Sequence, residues 1–143
     1  MSTPPDVTPR ERIRAECARR GKDAVVSDCI ALLRGSTDLG LLESLVGRGA
    51  AKFRDGREHD DIYWFRVWAL RGLLWAWDDR ATREVREATG DEAWRVREMA
   101  GKVVARNLVV DATAEMARLR EDPVPRVRRA AERALIRLAE ADG

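Results

Sequence analysis

Apolar residues recur at helical spacing along much of the chain. One run consists of Val96, Met99, Ala100, Val103 and Val104. Intervals of three and four residues place such positions on one side of an α-helix, whereas a half-buried strand would alternate apolar and polar residues. Equivalent runs begin at Phe65 and at Val127, and small residues recur within them. The pattern predicts amphipathic helices that pack closely against one another.

The three runs belong to a repeat with a constant offset of 31 residues. Each repeat carries an aspartate, an apolar residue five positions later, and an arginine directly after it. The aspartates are Asp60, Asp91 and Asp122, and the arginines are Arg66, Arg97 and Arg128. Shorter apolar patterns that begin at Arg80 and Asp111 show the same offset. The repeated unit is therefore predicted to be a short helix, a turn and a longer helix.

The N-terminal half follows the repeat less closely. Thr8, Pro9 and Glu11 form the signature of a capping box at a helix start. Another helical run begins at Val26, but Gly21 stands where the repeat would place an aspartate. The whole pattern predicts one domain of four helix pairs. The domain is expected over residues 1–143, and the pairs over residues 8–35, 36–78, 79–109 and 110–140.

Two segments are expected to be less ordered than the helices. Residues 1–7 are predicted to be a disordered N-terminus. Residues 47–58 hold three glycines and a cluster of charges. They are predicted to be the most mobile internal segment.

A helix pair with an aspartate at its turn, Val-Arg shortly afterwards and a period near 31 resembles the HEAT repeat family, especially its short bacterial forms. The resemblance implies an all-α right-handed α-α superhelix, a HEAT-like solenoid of about four helix pairs. In that family the repeated aspartates and arginines form a hydrogen-bonded ladder between neighbouring units. The six ladder residues named above are therefore expected to be structural, and an aspartate at a helix start can also cap that helix.

Charge and composition narrow the classes of function. Lys and Arg number 27 against 25 Asp and Glu, and the formal net charge of +2 excludes an overall basic nucleic-acid carrier but not a local basic face. Cys17 and Cys29 show no CxxC spacing, so we expect core thiols in a reducing compartment. No signal-peptide core and no stretch long enough to span a membrane is apparent. We expect a cytoplasmic protein with no membrane partner.

The sequence offers little for catalysis. His59 is the one histidine, and the sequence has no glycine-rich phosphate loop, so metal clusters, Ser-His-Asp chemistry and nucleotide binding find no support. Adjacent acids such as Asp78 and Asp79 stand at predicted helix boundaries, where capping explains them. HEAT-like alkylpurine DNA glycosylases, however, use a carboxylate and tryptophans on their concave face. We predict a protein that is not an enzyme and needs no cofactor or metal.

The longer helices share a set of positions that face away from the apolar run. In the HEAT family the second helix of each pair lines the concave surface, so these positions would form one patch. The candidate binding residues are Trp64, Arg71, Trp75, Arg95, Lys102, Arg106, Arg126, Arg129, Arg133 and Arg137. Val67 and Glu98 are expected on the same side. The patch is mostly basic, and solvated arginines without a ligand are the alternative interpretation.

The tryptophans divide between core and surface. Trp64 and Trp75 are expected on the open side of the patch, Trp68 in the core, and Trp94 between units. Tryptophan beside arginine is favoured at protein interfaces and at nucleic-acid surfaces. The first hypothesis is a non-catalytic protein-binding or scaffold module for a partner with an acidic segment. The alternative is a nucleic-acid-binding protein related to alkylpurine DNA glycosylases, and a third hypothesis is self-association into a homodimer.

Overall fold

The computed structural model describes residues 7–47, 53 and 61–143, and this part of the chain is all-α, with eight α-helices and no strand. The helices are α1 (Pro9–Arg20), α2 (Lys22–Leu33), α3 (Leu39–Val46), α4 (Trp64–Trp75), α5 (Thr82–Ala88), α6 (Trp94–Asn107), α7 (Thr113–Leu119) and α8 (Pro125–Asp142). Short 3₁₀ turns at Asp79–Ala81 and Val110–Ala112 lead into α5 and α7. The all-α prediction is confirmed. Residues 1–6 and most of segment 47–58, which were expected to be disordered or mobile, lie outside the described residues.

Short polar side chains begin several helices, as their sequence signatures predict. Thr8 accepts a hydrogen bond from the backbone N–H of Glu11, and the Glu11 carboxylate accepts one from the backbone of Thr8, which completes the capping box of α1. Asp38 and Asp78 cap α3 and the turn before α5 by accepting backbone N–H groups two residues later. Each bond satisfies a donor that the helix itself cannot use.

Small apolar residues at the repeat offset hold the C-terminal half together. Helix α6 packs against α4 on one side and α8 on the other, while α5 and α7 cover α6 and α8. Ala69, Ala100 and Ala131, one on each of α4, α6 and α8, are buried, and so is the apolar run from Val96. Because alanine adds little bulk, the three longer helices can approach closely along one row.

The N-terminal helices surround α4 rather than continuing that simple row. Helices α1, α2 and α3 all pack against α4. They meet at Gly72, where an added methyl group would lie 2.8 Å from the sulfur of Cys29 and 3.5 Å from the side chain of Ile13. The side chain of Leu45 lies just beyond, at 3.9 Å. The absence of a side chain at Gly72 is therefore what lets the three N-terminal helices converge on α4.

Helix α2 also contacts α5. The sequence pattern did not predict this contact. Arg34, at the end of α2, donates two hydrogen bonds to Glu84 of α5. Arg86 of α5 donates one hydrogen bond to Glu115 of α7, and Glu84 and Glu115 are separated by the repeat offset of 31. Arg80 adds bonds to the carbonyl of Asp23 and the hydroxyl of α2 residue Ser27. Thus α2 takes the place beside α5 that α5 takes beside α7.

Within the described ranges, no helix has both the length and the apolar character that crossing a membrane requires.

Candidate binding face

The repeated aspartates and arginines join successive units. Arg66 of α4 donates two hydrogen bonds to Asp91, at 2.6 and 3.2 Å, and Arg97 of α6 donates two to Asp122, at 2.8 and 3.2 Å. Each aspartate also accepts the backbone N–H two residues later, in the turn that leads into α6 or α8, while it binds the preceding helix. The expectation that these aspartates cap the helices themselves is wrong, because each lies two residues before the N-cap residue, and neither helix has a side-chain cap. Asp60 lies outside the described residues. Arg128 donates to the backbone carbonyl of Asp122 and pairs with no carboxylate in the described part of the chain.

The surroundings of Asp122 favour its charged form. Burial raises the pKa of this carboxyl, but the hydrogen bonds from Arg97 and from the backbone N–H of Val124 outweigh burial. The resulting pKa is below the ordinary value of an aspartate. Asp122 is therefore held as a carboxylate at neutral pH, as a structural partner of Arg97 and not as a proton donor.

A basic cleft runs between α6 and α8 and has a volume of about 690 Å³. We refer to it as the α6–α8 cleft. Its lining residues are Glu98, Lys102, Ala105, Arg106, Arg126, Arg129, Ala130, Arg133 and Arg137. Six of these side chains are cationic and one is a carboxylate. The structure thus brings six of the ten predicted patch residues to one cleft.

Positive charge is unevenly balanced along the α6–α8 cleft. At one end Arg126 donates two hydrogen bonds to Glu98, at 2.8 and 3.1 Å, which compensates both charges. Further along α8, Arg129, Arg133 and Arg137 are exposed, and they pair with no acidic side chain in the described ranges. The uncompensated charge therefore lies on the C-terminal part of α8.

A second cleft, of about 770 Å³, lies where α1 meets α4 and α6. Arg71 and Trp75 of α4 line it together with Lys102 of α6, and Lys102 also lines the first cleft. Helix α1 contributes Arg10 and Arg14, which the sequence did not place on this face. Their spacing of four residues put them on one side of α1, but only the tertiary position of α1 shows that this side borders α4 and α6. The two clefts form one basic face that is continuous through Lys102.

Arginines cover the tryptophans of this face. The guanidinium of Arg106 lies 4.1 Å from the ring centre of Trp75, and that of Arg10 lies 5.4 Å from it. Arg95 lies 5.4 Å from Trp64, which also stacks on Trp68 with ring centres 5.6 Å apart. Trp64 and Trp75 are therefore half-buried. Trp75 lines the second cleft, on the open side where it is expected, but cation–π contacts within the chain already engage the faces of both rings.

Two other positions assigned to the open side by spacing are buried. Val67 belongs to the core, since α4 is surrounded by α1, α2, α3 and α6 and keeps little free surface. Glu98 is buried under Arg126. Hydrophobic spacing identifies the side of a helix, but it does not show how many neighbours cover that side.

The remaining candidate side chains have structural surroundings. Cys29 is buried, and burial raises the pKa of its thiol, whereas Cys17 is only half-buried. Trp68, expected in the core, is half-buried, and Trp94 packs between units, with Arg126 of the next helix 5.0 Å from its ring centre. Trp77, which spacing did not place, donates its indole N–H to Asp79. His59 lies outside the described residues.

No protein-family model, curated protein or solved structure matches this chain. The class of ligand that suits the face therefore has to follow from its own side chains. They offer guanidinium groups in a row, which suit carboxylates or phosphates through paired hydrogen bonds.

Proposed function

We propose that this chain is a non-catalytic binding module, built as a HEAT-like right-handed superhelix, whose basic face holds a protein partner through an acidic segment. One observation carries the proposal. Arg129, Arg133 and Arg137 line the α6–α8 cleft and have no acidic partners among the residues that the structure describes. A solvated arginine surface is usually interspersed with acids that balance it, whereas uncompensated cations in a cleft attract an anion.

The repeat geometry supports the proposed superhelix. The bond from Arg66 to Asp91 recurs, 31 residues later, as the bond from Arg97 to Asp122. Equivalent bonds at a constant offset imply that successive units are related by a similar rotation and translation. A stack built in that way presents one continuous face to an extended partner.

The chemistry of the cleft favours binding over catalysis. Among its described lining residues Glu98 is the one carboxylate, and two hydrogen bonds from Arg126 engage it. A general base must reach the proton that it abstracts, whereas the Glu98 carboxylate already accepts hydrogen bonds from the guanidinium of Arg126. The side chains that stay free in the α6–α8 cleft are cations, which can bind and orient an anion.

A titration with labelled poly-L-glutamate tests the proposal. We expect binding at about 50 mM salt that weakens as salt is raised, because exposed ion pairs are screened. Replacing Arg71, Lys102 and Arg133 with Gln removes one cation from each of α4, α6 and α8, and should weaken binding about tenfold. Fluorescence anisotropy gives the dissociation constant.

The matched control removes three arginines from the opposite layer. Arg83, Arg118 and Arg120 are exposed on and after α5 and α7, so the control changes the net charge by the same amount. Equal weakening in both variants would show that net charge alone matters, and would contradict a specific face. Tighter binding of duplex DNA than of polyglutamate would instead favour the nucleic-acid hypothesis, with a salt slope of about −0.9 for each phosphate contact.

A further inference from the structure

We infer that the α6–α8 cleft binds an extended peptide segment whose acidic residues occupy alternate positions. This inference rests on the proposed function and names the form of the partner. The carboxylates would accept hydrogen bonds from Arg129, Arg133 and Arg137. Every second residue of the peptide would thus face one arginine. Spacing, the shape of the cleft floor and the absence of stacking surfaces carry the inference.

The spacing of the three arginines matches an extended chain. They follow one another at intervals of four residues, which keeps them on one side of α8. A helix rises about 1.5 Å per residue, so each interval advances about 6 Å. An extended peptide advances about 6.6 Å for every two residues, and those two-residue neighbours point to the same side. Over three arginines the accumulated difference is about 1 Å, which a flexible arginine side chain can absorb.

The floor of the cleft is built from small residues. Ala105 and Ala130 line it between the charged walls. Nearby, a methyl group added to Gly101 would lie 3.1 Å from the Cβ of Ala130, so α6 and α8 approach each other closely at this point. A floor without large side chains lets a peptide backbone come close while its acidic side chains reach the arginines at the rim.

The pairing of Arg126 with Glu98 marks one end of the binding register. The Glu98 carboxylate already accepts two hydrogen bonds from Arg126 and would repel a second carboxylate placed there. The first favourable position for a peptide acid is therefore opposite Arg129. Arg106 on the facing helix, which corresponds to Arg137 by the repeat offset, adds another cation to the lining, although it also donates to the carbonyl of Leu74.

Nucleic acid fits this cleft less well. Single-stranded nucleic acid binds by stacking its bases on aromatic rings, and no aromatic side chain lines the α6–α8 cleft in the described residues. The nearby ring of Trp75 is already engaged by Arg10 and Arg106. The volume of about 690 Å³ is in the range of pockets that hold a small ligand or a short peptide segment.

Two synthetic peptides of equal composition test the register. One alternates glutamate and serine, and the other repeats two glutamates followed by two serines, so that both carry the same charge and length. In an extended chain only the alternating peptide presents every glutamate on one side. We expect the alternating peptide to bind the full chain about tenfold more tightly at about 50 mM salt. Replacing Arg129, Arg133 and Arg137 with Gln should abolish this preference, and the Arg83, Arg118 and Arg120 variant should keep it.

The outcomes separate the register from the proposed function. Equal binding of both peptides, lost in the variant with Arg129, Arg133 and Arg137 replaced, would overturn the alternating register and leave an acidic partner in place. No binding of either peptide or of polyglutamate would overturn both proposals. Tighter binding of single-stranded oligothymidylate than of the alternating peptide would overturn the peptide in favour of nucleic acid. Circular dichroism melts establish that each variant is folded, which is expected because the replaced side chains are exposed.

Discussion

Each described ladder aspartate serves two partners at once. Asp122 receives the guanidinium of Arg97 from the preceding unit and the backbone N–H of Val124 from its own. Either contact alone is a common surface feature. Together they tie the turn before α8 to the first turn of α6, so a change at one carboxylate affects both the entry to a helix and an interface.

The lowered pKa of Asp122 makes a prediction for acid stability. A carboxyl whose folded pKa is below its unfolded pKa stabilises the fold above the unfolded value, near pH 4, and loses that contribution as the pH falls through the folded value. Asp122→Asn should therefore be less stable at pH 7 but lose less stability between pH 7 and pH 3 than the parent chain. Urea unfolding across this pH range measures the difference.

Asp142 offers the matched control for this experiment. It is exposed near the end of α8 and pairs with no side chain in the described residues. Asp142→Asn changes the net charge by the same amount as Asp122→Asn without removing the bond to Arg97, so an effect of that bond should appear as the difference between the two variants. Parallel pH profiles for the parent and Asp122→Asn would contradict the assigned role of the Arg97–Asp122 pair.

A second prediction concerns the contact between Gly72 and Cys29. Alanine is a better helix former than glycine by about 1 kcal/mol, but at Gly72 its methyl group would lie 2.8 Å from the Cys29 sulfur. Overpacking of this kind costs about 1–3 kcal/mol, so Gly72→Ala should destabilise the chain. In a Cys29→Ala background the sulfur is absent, and Gly72→Ala should be neutral or stabilising. Thermal or urea unfolding of the four chains gives the coupling, and equal costs in both backgrounds would exclude the contact as the cause.

At the level of helices, local signals in the sequence locate some helix starts. The Thr8 capping box appears where the sequence predicts it, because capping depends on residues within one turn. The neighbours of α1 and α2 were not predictable in this way. Arg34 and Glu84 are far apart in sequence, and Arg34 has no counterpart in the repeat, so only the folded chain shows that they meet.

The bond between Arg34 and Glu84 supports a third prediction. The Glu84 side chain is 2% exposed and that of Arg34 is 66% exposed, so removing Arg34 leaves a buried carboxylate without its partner. Arg34→Ala should destabilise the chain by about 1–2 kcal/mol, a value that allows for solvent screening at Arg34. Arg83→Ala removes an exposed pair with Glu87 and should change stability by less than about 0.5 kcal/mol. Equal effects in chemical denaturation would show that α2 is not anchored to α5 through Glu84.

Across the whole molecule, the near-neutral net charge conceals a strong local asymmetry. Six cations line one cleft, while the acids that balance them are distributed elsewhere or are tied into bonds between helices. The positions that face away from the apolar run predicted the arginines of α8. The periodicity of a helix is enough to identify its exposed residues when only one of its sides is open. The contribution of Arg10 and Arg14 was not predictable, since it depends on α1 lying beside α4 and α6.

Arg128 stands where Arg66 and Arg97 stand in the earlier units, and within the described residues it donates its hydrogen bond to the backbone carbonyl of Asp122 and not to a carboxylate. The surface that it presents is therefore a template for another unit of the same design. Duplicating residues 91–121 in tandem would place the first copy of Arg97 opposite the second copy of Asp91, which repeats a contact that the chain already makes twice. Each added copy would also bring Lys102 and Arg106, so the length of the basic face would grow with copy number. The number of repeated units would therefore set the length of the partner segment that the basic face can bind.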